Sequence, residues 1–235
     1  MAEITVLLSA AFKEAYVELV PRFERASGHK VATLWAPSVE IMKRMKAGEI
    51  VDLVIVSAPS IEALKELGIV GMNGRSDLAT CGVGVAVKAG APRPDLSSGE
   101  AVKRAVLGAG SIVYSHGPSG VYLEGLFERM GIADAIESKV KRVQGEPAGA
   151  LVARGAAELG FQQVCELLPV PGIDLVGPLP PDIQEITTFS SGIHAKARAP
   201  DAARALVEFL TSPDAAPVIV AKGMTPLATA RADAR

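Results

Sequence analysis

Residues 111–126 read SIVYSHGPSGVYLEGL. A β-rich run, Ser111 to Tyr114, meets a polar loop, Ser115 to Gly120. Then Val121, Leu123, Leu126, Phe127 and Met130 recur at helical spacing. Strand, short Gly/Pro/Ser loop and helix is the unit from which parallel sheets are assembled. A loop that opens a helix is also where unpaired N–H groups can hold an anion.

Outward from this stretch the same unit repeats. ITVLL (4–8) reads as a strand, Ser9 follows, and Phe12, Tyr16, Leu19, Val20 and Phe23 mark a helix stopped by Ser27-Gly28. HKVATLW (29–35) is the next strand, Ala36-Pro37-Ser38 a turn, and Ile41, Met42 and Met45 begin a helix ending near Gly48. DLVIVS (52–57) is a continuous apolar run of the kind found in central parallel strands, and IEALKELG (61–68) is a helix. In the second half, 83–90 reads as a strand, 97–110 as a helix, 139–145 as a strand, and Pro147 opens a helix reaching Arg154. Residues 158–164 form a strand, IDLVGPLPPDIQ (173–184) is rich in turn formers, 186–195 is strand-like, and 199–212 and 213–224 are helices. The βα pattern thus occurs twice, and two long β runs, 81–88 and 186–195, are available to carry the chain between two bodies. The expected fold is α/β with two Rossmann-like lobes joined by two crossing strands. Lobe 1 comprises 1–82 plus 191–235, lobe 2 comprises 83–190, and the ligand cleft is expected between them.

Composition narrows the function. The chain has 235 residues, is 49% hydrophobic and has a mean hydropathy of +0.30, enough for a large core. Its net charge is −2 and its pI about 6.0, which gives no basic field for nucleic acid or an anionic membrane. Aromatic content of 4% also argues against stacking platforms for single strands. No run approaches the roughly 18 apolar residues of a membrane span. Cys81 and Cys165 lie far apart without metal spacing and read as small buried thiols, a disulfide between them being left open. The start, MAEITVLLSAAFKEAY, has no basic leader region, so the sequence as written is expected in the cytoplasm, and in the periplasm if a leader has been removed.

Four strand-to-helix junctions carry small or hydroxyl residues: Ser9-Ala10-Ala11, Pro37-Ser38, Ser115 to Gly120, and Glu146-Pro147-Ala148. In open α/β sheets ligands bind beyond the carboxyl ends of the strands, and each helix start offers unpaired N–H groups and about half a positive charge. Taken singly, Ser9, Ser38 and Ser119 read as ordinary N-caps. Taken together, they suit an anion held without cations. SHGPSG lacks the Lys-Ser/Thr ending of a phosphate-binding loop and does not match GxGxxG, and Gly82-Val83-Gly84 lies inside a strand-like run. His116 beside Ser115 and Ser119 lacks a nucleophile elbow. His29 and His194 have no ligand-spaced neighbours, and neither metal nor cofactor is expected.

With LLSAAFKEAYVELVPRFERASG, DLVIVSAPSIEAL, SIVYSHGPSGVYLEGLFERMGI, VQGEPAGALVARGAAELGFQQVCELL and SPDAAPVIVAKGM assembled, nearly the whole chain resembles the molybdate-binding branch of the type II periplasmic solute-binding proteins, the ABC transporter substrate-binding family. The resemblance implies two lobes that close on a tetrahedral oxyanion through hydroxyls and backbone N–H groups. It assigns Ser9 and Ser38 as first-lobe ligands, Ser119-Gly120-Val121 as second-lobe amides and Pro147-Ala148 as a further contact. Gln163 falls where molybdate binders tend to place a tyrosine, and Trp35-Ala36-Pro37-Ser38-Val39 replaces a Gly/Ser-rich loop, with Pro37 removing an N–H donor.

Three functions follow. The first is a small-anion binding protein for an oxyanion or small carboxylate, partnered by a transporter permease if exported. The second is an isomerase of a small polycarboxylate such as aconitate. There His116 would be the acid/base, because its ordinary pKa is near neutrality, and Lys13, Arg75, His116 and Lys222 would be candidate cations. The third, an intracellular anion sensor, would need a partner protein.

Overall fold

The computed structural model describes residues 1–227, which fall into two compact units: residues 1–80 with the described residues from 188 on, and Cys81–Thr187. The first unit opens with β1 (Glu3–Leu8) and a 3₁₀ turn, Ala10–Phe12, running into α1 (Lys13–Ser27). Helix α1 buries Ala15, Tyr16, Leu19, Val20 and Phe23 along one stripe. It stops at Gly28, whose φ of 73° is open to glycine at little cost and lets its N–H reach Glu24 O. Then come β2 (Lys30–Trp35), α2 (Ser38–Lys46), β3 (Leu53–Ser57) and α3 (Ala58–Glu66). Every residue of β3 is buried, as its unbroken apolar run requires. β1 is parallel to both β2 and β3, with Leu8 opposite Trp35 on one side and Ile55 on the other.

The strand that follows, β4 (Val70–Lys88), begins well before the expected 81–88. Its first half, GMNGRSDLAT (71–80), has no apolar alternation, so no local signal marks it. Tertiary partners hold it: Ser190 Oγ donates to Asp77 Oδ1 at 2.6 Å and Ser191 Oγ to Ser76 O at 3.3 Å.

The second unit continues along β4 through α4 (Gly99–Gly108), β5 (Ile112–Ser115), α5 (Pro118–Arg129), α6 (Ala133–Ile136) and β6 (Val140–Val143). It is completed by α7 (Ala148–Ala153), β7 (Leu159–Gln163), α8 (Val164–Leu167) and β8 (Ile173–Pro178). β5 is parallel to β6 and β7, while β4 runs antiparallel to β7 and β8. Tyr114, Leu123, Phe127 and Phe161 fill the core between β5, β7 and α5. The turn-rich reading of 173–184 is corrected for its first half. Residues 173–178 form a strand because β4 supplies the pairing edge, with a register shift at Val85/Ala86.

Strand β9 (Ile186–His194) leads back to the first unit, where it pairs antiparallel with β3, Ile55 opposite Ser191. α9 (Pro200–Leu210) lays Phe209 against Phe23 of α1 at 5.7 Å between ring centroids. The last helix is shorter than the expected 213–224, α10 (Ala216–Ala221), and is followed by β10 (Thr225–Pro226), which pairs with Thr80 and Ala79. The expected lobe 1 residues beyond 227 lie outside the described residues.

Asp52 fastens this return. Its side chain is buried; Oδ2 accepts from Thr5 N at 2.8 Å, and Oδ1 from Arg198 N and Ala199 N at 2.7 and 2.8 Å. Asp52→Ala would leave three partly buried N–H groups without their acceptor, a loss of about 3 kcal/mol that lowers Tm by about 10 °C. Asp52→Asn keeps one acceptor oxygen and loses less. Thermal denaturation of the three proteins checks the ranking, and equal Tm values would contradict it.

Candidate functional site

Because β1, β2 and β3 are parallel, their carboxyl ends share one edge of the first unit, and every helix that follows starts there. Ser9 sits at that edge with extended backbone (φ −84°, ψ 164°), nearly buried, its N–H donating to Ile55 O at 3.2 Å. Ala10 is exposed and begins the 3₁₀ turn. Its N–H and that of Ala11, at the head of the turn, have no acceptor within the helix itself. Pro37, not Ser38, is the N-cap of α2, and Ser38 is the first helical residue, partly exposed. A further hydroxyl, missed in the sequence reading, is Ser57, the buried N-cap residue of α3, 3.1 Å from Ser60 Oγ. Its signal was present: Ser57 closes DLVIVS just as Ser9 closes ITVLL.

In the second unit β5, β6 and β7 end together in the same way. Gly117 caps α5 and Pro118 occupies its first turn. Gly120 N and Val121 N both donate to Gly117 O, at 3.0 and 3.1 Å, so the amides expected for a ligand are engaged within the helix start. Ser119 differs. It is 1% exposed, and its hydroxyl is a buried polar atom without a hydrogen-bond partner. Gly120 makes this approach possible, since a Cβ there would stand 1.6 Å from Ser115 O. Ser115 Oγ accepts from Gly117 N at 3.3 Å.

The expected caps are corrected by these geometries. None of the three helix starts after Ser9, at Ser38 and at Ser119 has a side-chain cap hydrogen bond.

Two other expected contacts are committed elsewhere. Pro147 caps the short α7, and Ala148 N donates to Gln162 Oε1 at 2.8 Å. Gln163 is fully buried with its amide 2.8 Å from Thr187 Oγ1; in the orientation that satisfies both its ends, Nε2 donates to Cys81 O and Gly82 O at 3.0 and 3.2 Å. Gln163 therefore ties β7 to β4 and β9 within its own unit.

The candidate cations separate. Arg75 is held by Asp77 at 2.8 Å and by Glu62, and Lys222 by Glu18 at 3.2 Å. Lys13 has no acidic partner among the described residues, and its Nζ lies 5.9 Å above the ring of Trp35. Trp35 ends β2 beside the Ser9 loop, 42% exposed, and meets buried Tyr16 edge-on at 5.7 Å. Burial pushes the Tyr16 hydroxyl up to about 12, opposed by its bond to Thr33 Oγ1. His116 is exposed, and its backbone N–H donates to Val143 O at 3.2 Å.

Elsewhere in the second unit a hollow of about 360 Å³ is lined by Glu124, Glu128, Asp134, Glu137, Tyr114 and Arg142. Arg142 is paired with Glu124 and Glu137, so the lining is net acidic and repels an anion. Among the described residues no group of three or more His, Cys, Asp and Glu could hold a metal, and no helix is long and apolar enough to cross a membrane.

Two α/β units, linked by β4 and β9 and each ending its parallel strands in hydroxyl-bearing helix starts, are the architecture of a type II periplasmic binding protein. The chain belongs to the bacterial extracellular solute-binding protein family, whose pattern matches residues 4–225. It is 39% identical over 230 residues to a protein named aconitate isomerase from Pseudomonas sp, covering 95% of this chain and 88% of that one. The periplasmic molybdate-binding protein of Azotobacter vinelandii has the same fold, with a TM-score of 0.79 at 20% identity over 94% of this chain and 98% of that one. So does the sulfate-binding protein of Mycobacterium tuberculosis H37Rv, with a TM-score of 0.77 at 16% identity over 97% and 88%.

Glu166, in α8, is a titratable group the sequence did not single out. Burial pushes its carboxyl up to about 7, partly opposed by the Gln162 side chain. The unfolded carboxyl ionises near 4.5, so the folded state loses stability as pH rises from there through about 7. Glu166→Gln is expected to remove that loss. Its Tm gain over the wild type should open between those two pH values and stay level above them, and a pH-independent difference would refute the assignment.

Proposed function

We propose that this chain binds a small anion through hydroxyls and helix-start amides at the strand ends, and that when exported it delivers the anion to a transporter permease. The observation that carries this reading is Ser119. A buried hydroxyl without a partner costs stability, and this one sits in the first turn of a 12-residue helix, whose dipole favours negative charge. Ser9, Ala10, Ser38 and Ser57 make the corresponding set in the first unit. In this proposal Ser115, Gly120, Val121, Pro147, Ala148 and Gln163 shape and support the second-unit loops. The fold shared with oxyanion-binding proteins supports it.

Calorimetry with molybdate, tungstate, sulfate and small carboxylates tests the proposal. Ser119→Ala and Ser9→Ala should each weaken binding roughly 10- to 100-fold, the worth of a hydrogen bond to a charged group. Ser119→Ala should leave the Tm of the ligand-free protein unchanged or raised, because the lost hydroxyl had no partner. Absence of binding by every anion at millimolar concentration would overturn the proposal.

The relative named aconitate isomerase supports a second reading, isomerisation of an unsaturated polycarboxylate on the same scaffold. Moving its double bond requires a base to take a proton from one carbon and return one to the allylic carbon, while a cation holds the charge that develops on the carboxylate in between. In this reading Lys13, held over the Trp35 ring, is the candidate cation, and His116, exposed in the second unit, the candidate base. Incubation with cis- or trans-aconitate in D₂O, followed by proton NMR, should show deuterium incorporation and interconversion. Lys13→Gln should lower kcat/KM about 100-fold, and unlabelled, unconverted substrate would eliminate this reading.

A further inference from the structure

Cys81 and Cys165 are 84 positions apart in sequence, yet the second unit brings them together. β4 and β7 run antiparallel with Val83 opposite Gln163; Cys81 stands two residues before Val83 in β4, and Cys165 two residues after Gln163, in the first turn of α8. Cys165 N–H donates to Cys81 Sγ at 3.4 Å, and the two residues are 2% and 3% exposed. Each thiol dominates the other's titration: the Cys165 thiol holds Cys81 below the usual range, and Cys81 drives Cys165 well above it. No third ligand makes a metal site of the pair among the described residues. The 3.4 Å contact puts Cys165 Cα within about 5 Å of Cys81 Sγ, an approach compatible with the Cα spacing of about 4.4–6.8 Å that a disulfide bridges.

We propose that Cys81 and Cys165 are a disulfide-forming pair, oxidised by exchange with a disulfide compound whenever the chain folds in an oxidising environment. The Cys81 thiolate attacks one sulfur of the oxidant and expels the other as a thiolate. Cys165 then attacks Cys81 Sγ of the mixed disulfide, its proton passing to the departing thiolate. The protein loses two electrons and two protons, and the oxidant is reduced to two thiols. Because both sulfurs are buried in the folded unit, exchange occurs as the chain folds or opens. The bond staples α8 to β4 at the first residue of the second unit, and it does so whichever ligand the protein takes.

The full chain, refolded with oxidised glutathione, is examined by intact mass under non-reducing conditions, by peptide mapping and by thermal denaturation with and without dithiothreitol. The expected product is monomeric, lighter by two hydrogens, and has a linked Cys81–Cys165 peptide. Its Tm should exceed that of the reduced protein by about 10 °C, since the bond closes a long loop. Cys81→Ala and Cys165→Ala should each abolish the reductant-dependent shift. Two alkylatable thiols after oxidation, a glutathione adduct without the internal link, an intermolecular link, or a Tm indifferent to reductant would each overturn the proposal. The mass readout needs no variant to fold.

Discussion

The Asp52 carboxylate is the constraint from which the first unit is built. It sits just before β3, the strand buried along its whole length, and accepts N–H groups from β1 and from residues 198 and 199. Residues far apart in sequence are thereby fastened to one point, and Asp52 O also receives His194 N at 3.1 Å. A buried carboxylate is tolerated because its acceptor capacity is filled by amides that would otherwise be unpaired. With the amino-terminal ends of β1 and β3 held together in this way, their parallel partners finish in register at the opposite edge. That register places Ser9, Ser38 and Ser57 at one end of the sheet.

The chemistry at these strand ends is one of donors rather than fixed charge. Arg75 and Lys222 are neutralised by neighbouring carboxylates, and the helix starts present hydroxyls and N–H groups. An anion held so pays little for desolvating a cation, because amide dipoles are already oriented by their helices. Lys13 departs from that pattern. Its ammonium is kept over the Trp35 ring with no carboxylate among the described residues to quench it, which adds one positive charge at the end of β2. A compact oxyanion needs no such charge, whereas an organic acid carrying several carboxylates gains from it.

The second unit shows how a loop becomes committed. Gly120 lets the start of α5 pass against Ser115 O, a distance no side chain at that position would permit. Ser119 is thereby buried while its hydroxyl goes without a partner. The neighbouring amides are spent on Gly117 O, and Gln163 is spent on Thr187 and on backbone carbonyls of β4. The sequence named Ser119, Gly120, Val121 and Gln163 alike. Only the packing separates the unspent donor from the three whose donors are already engaged.

The sequence by itself determined the α/β class, the doubled βα pattern and the strand ends at which hydroxyls cluster, because hydrophobic period, Gly stops and helix-start residues are local properties. It could not mark the first half of β4 or the strand 173–178, whose residues lack alternation and are held by partners distant in the chain. The same limit governs the site. Whether Ser9 or Ser119 caps its helix, whether Arg75 is quenched, whether Glu166 keeps its proton and whether Cys81 meets Cys165 all depend on which groups arrive from elsewhere. Hydrogen bonding, desolvation and ion pairing act over a few ångströms of space whatever the separation in sequence, so only the tertiary structure decides them.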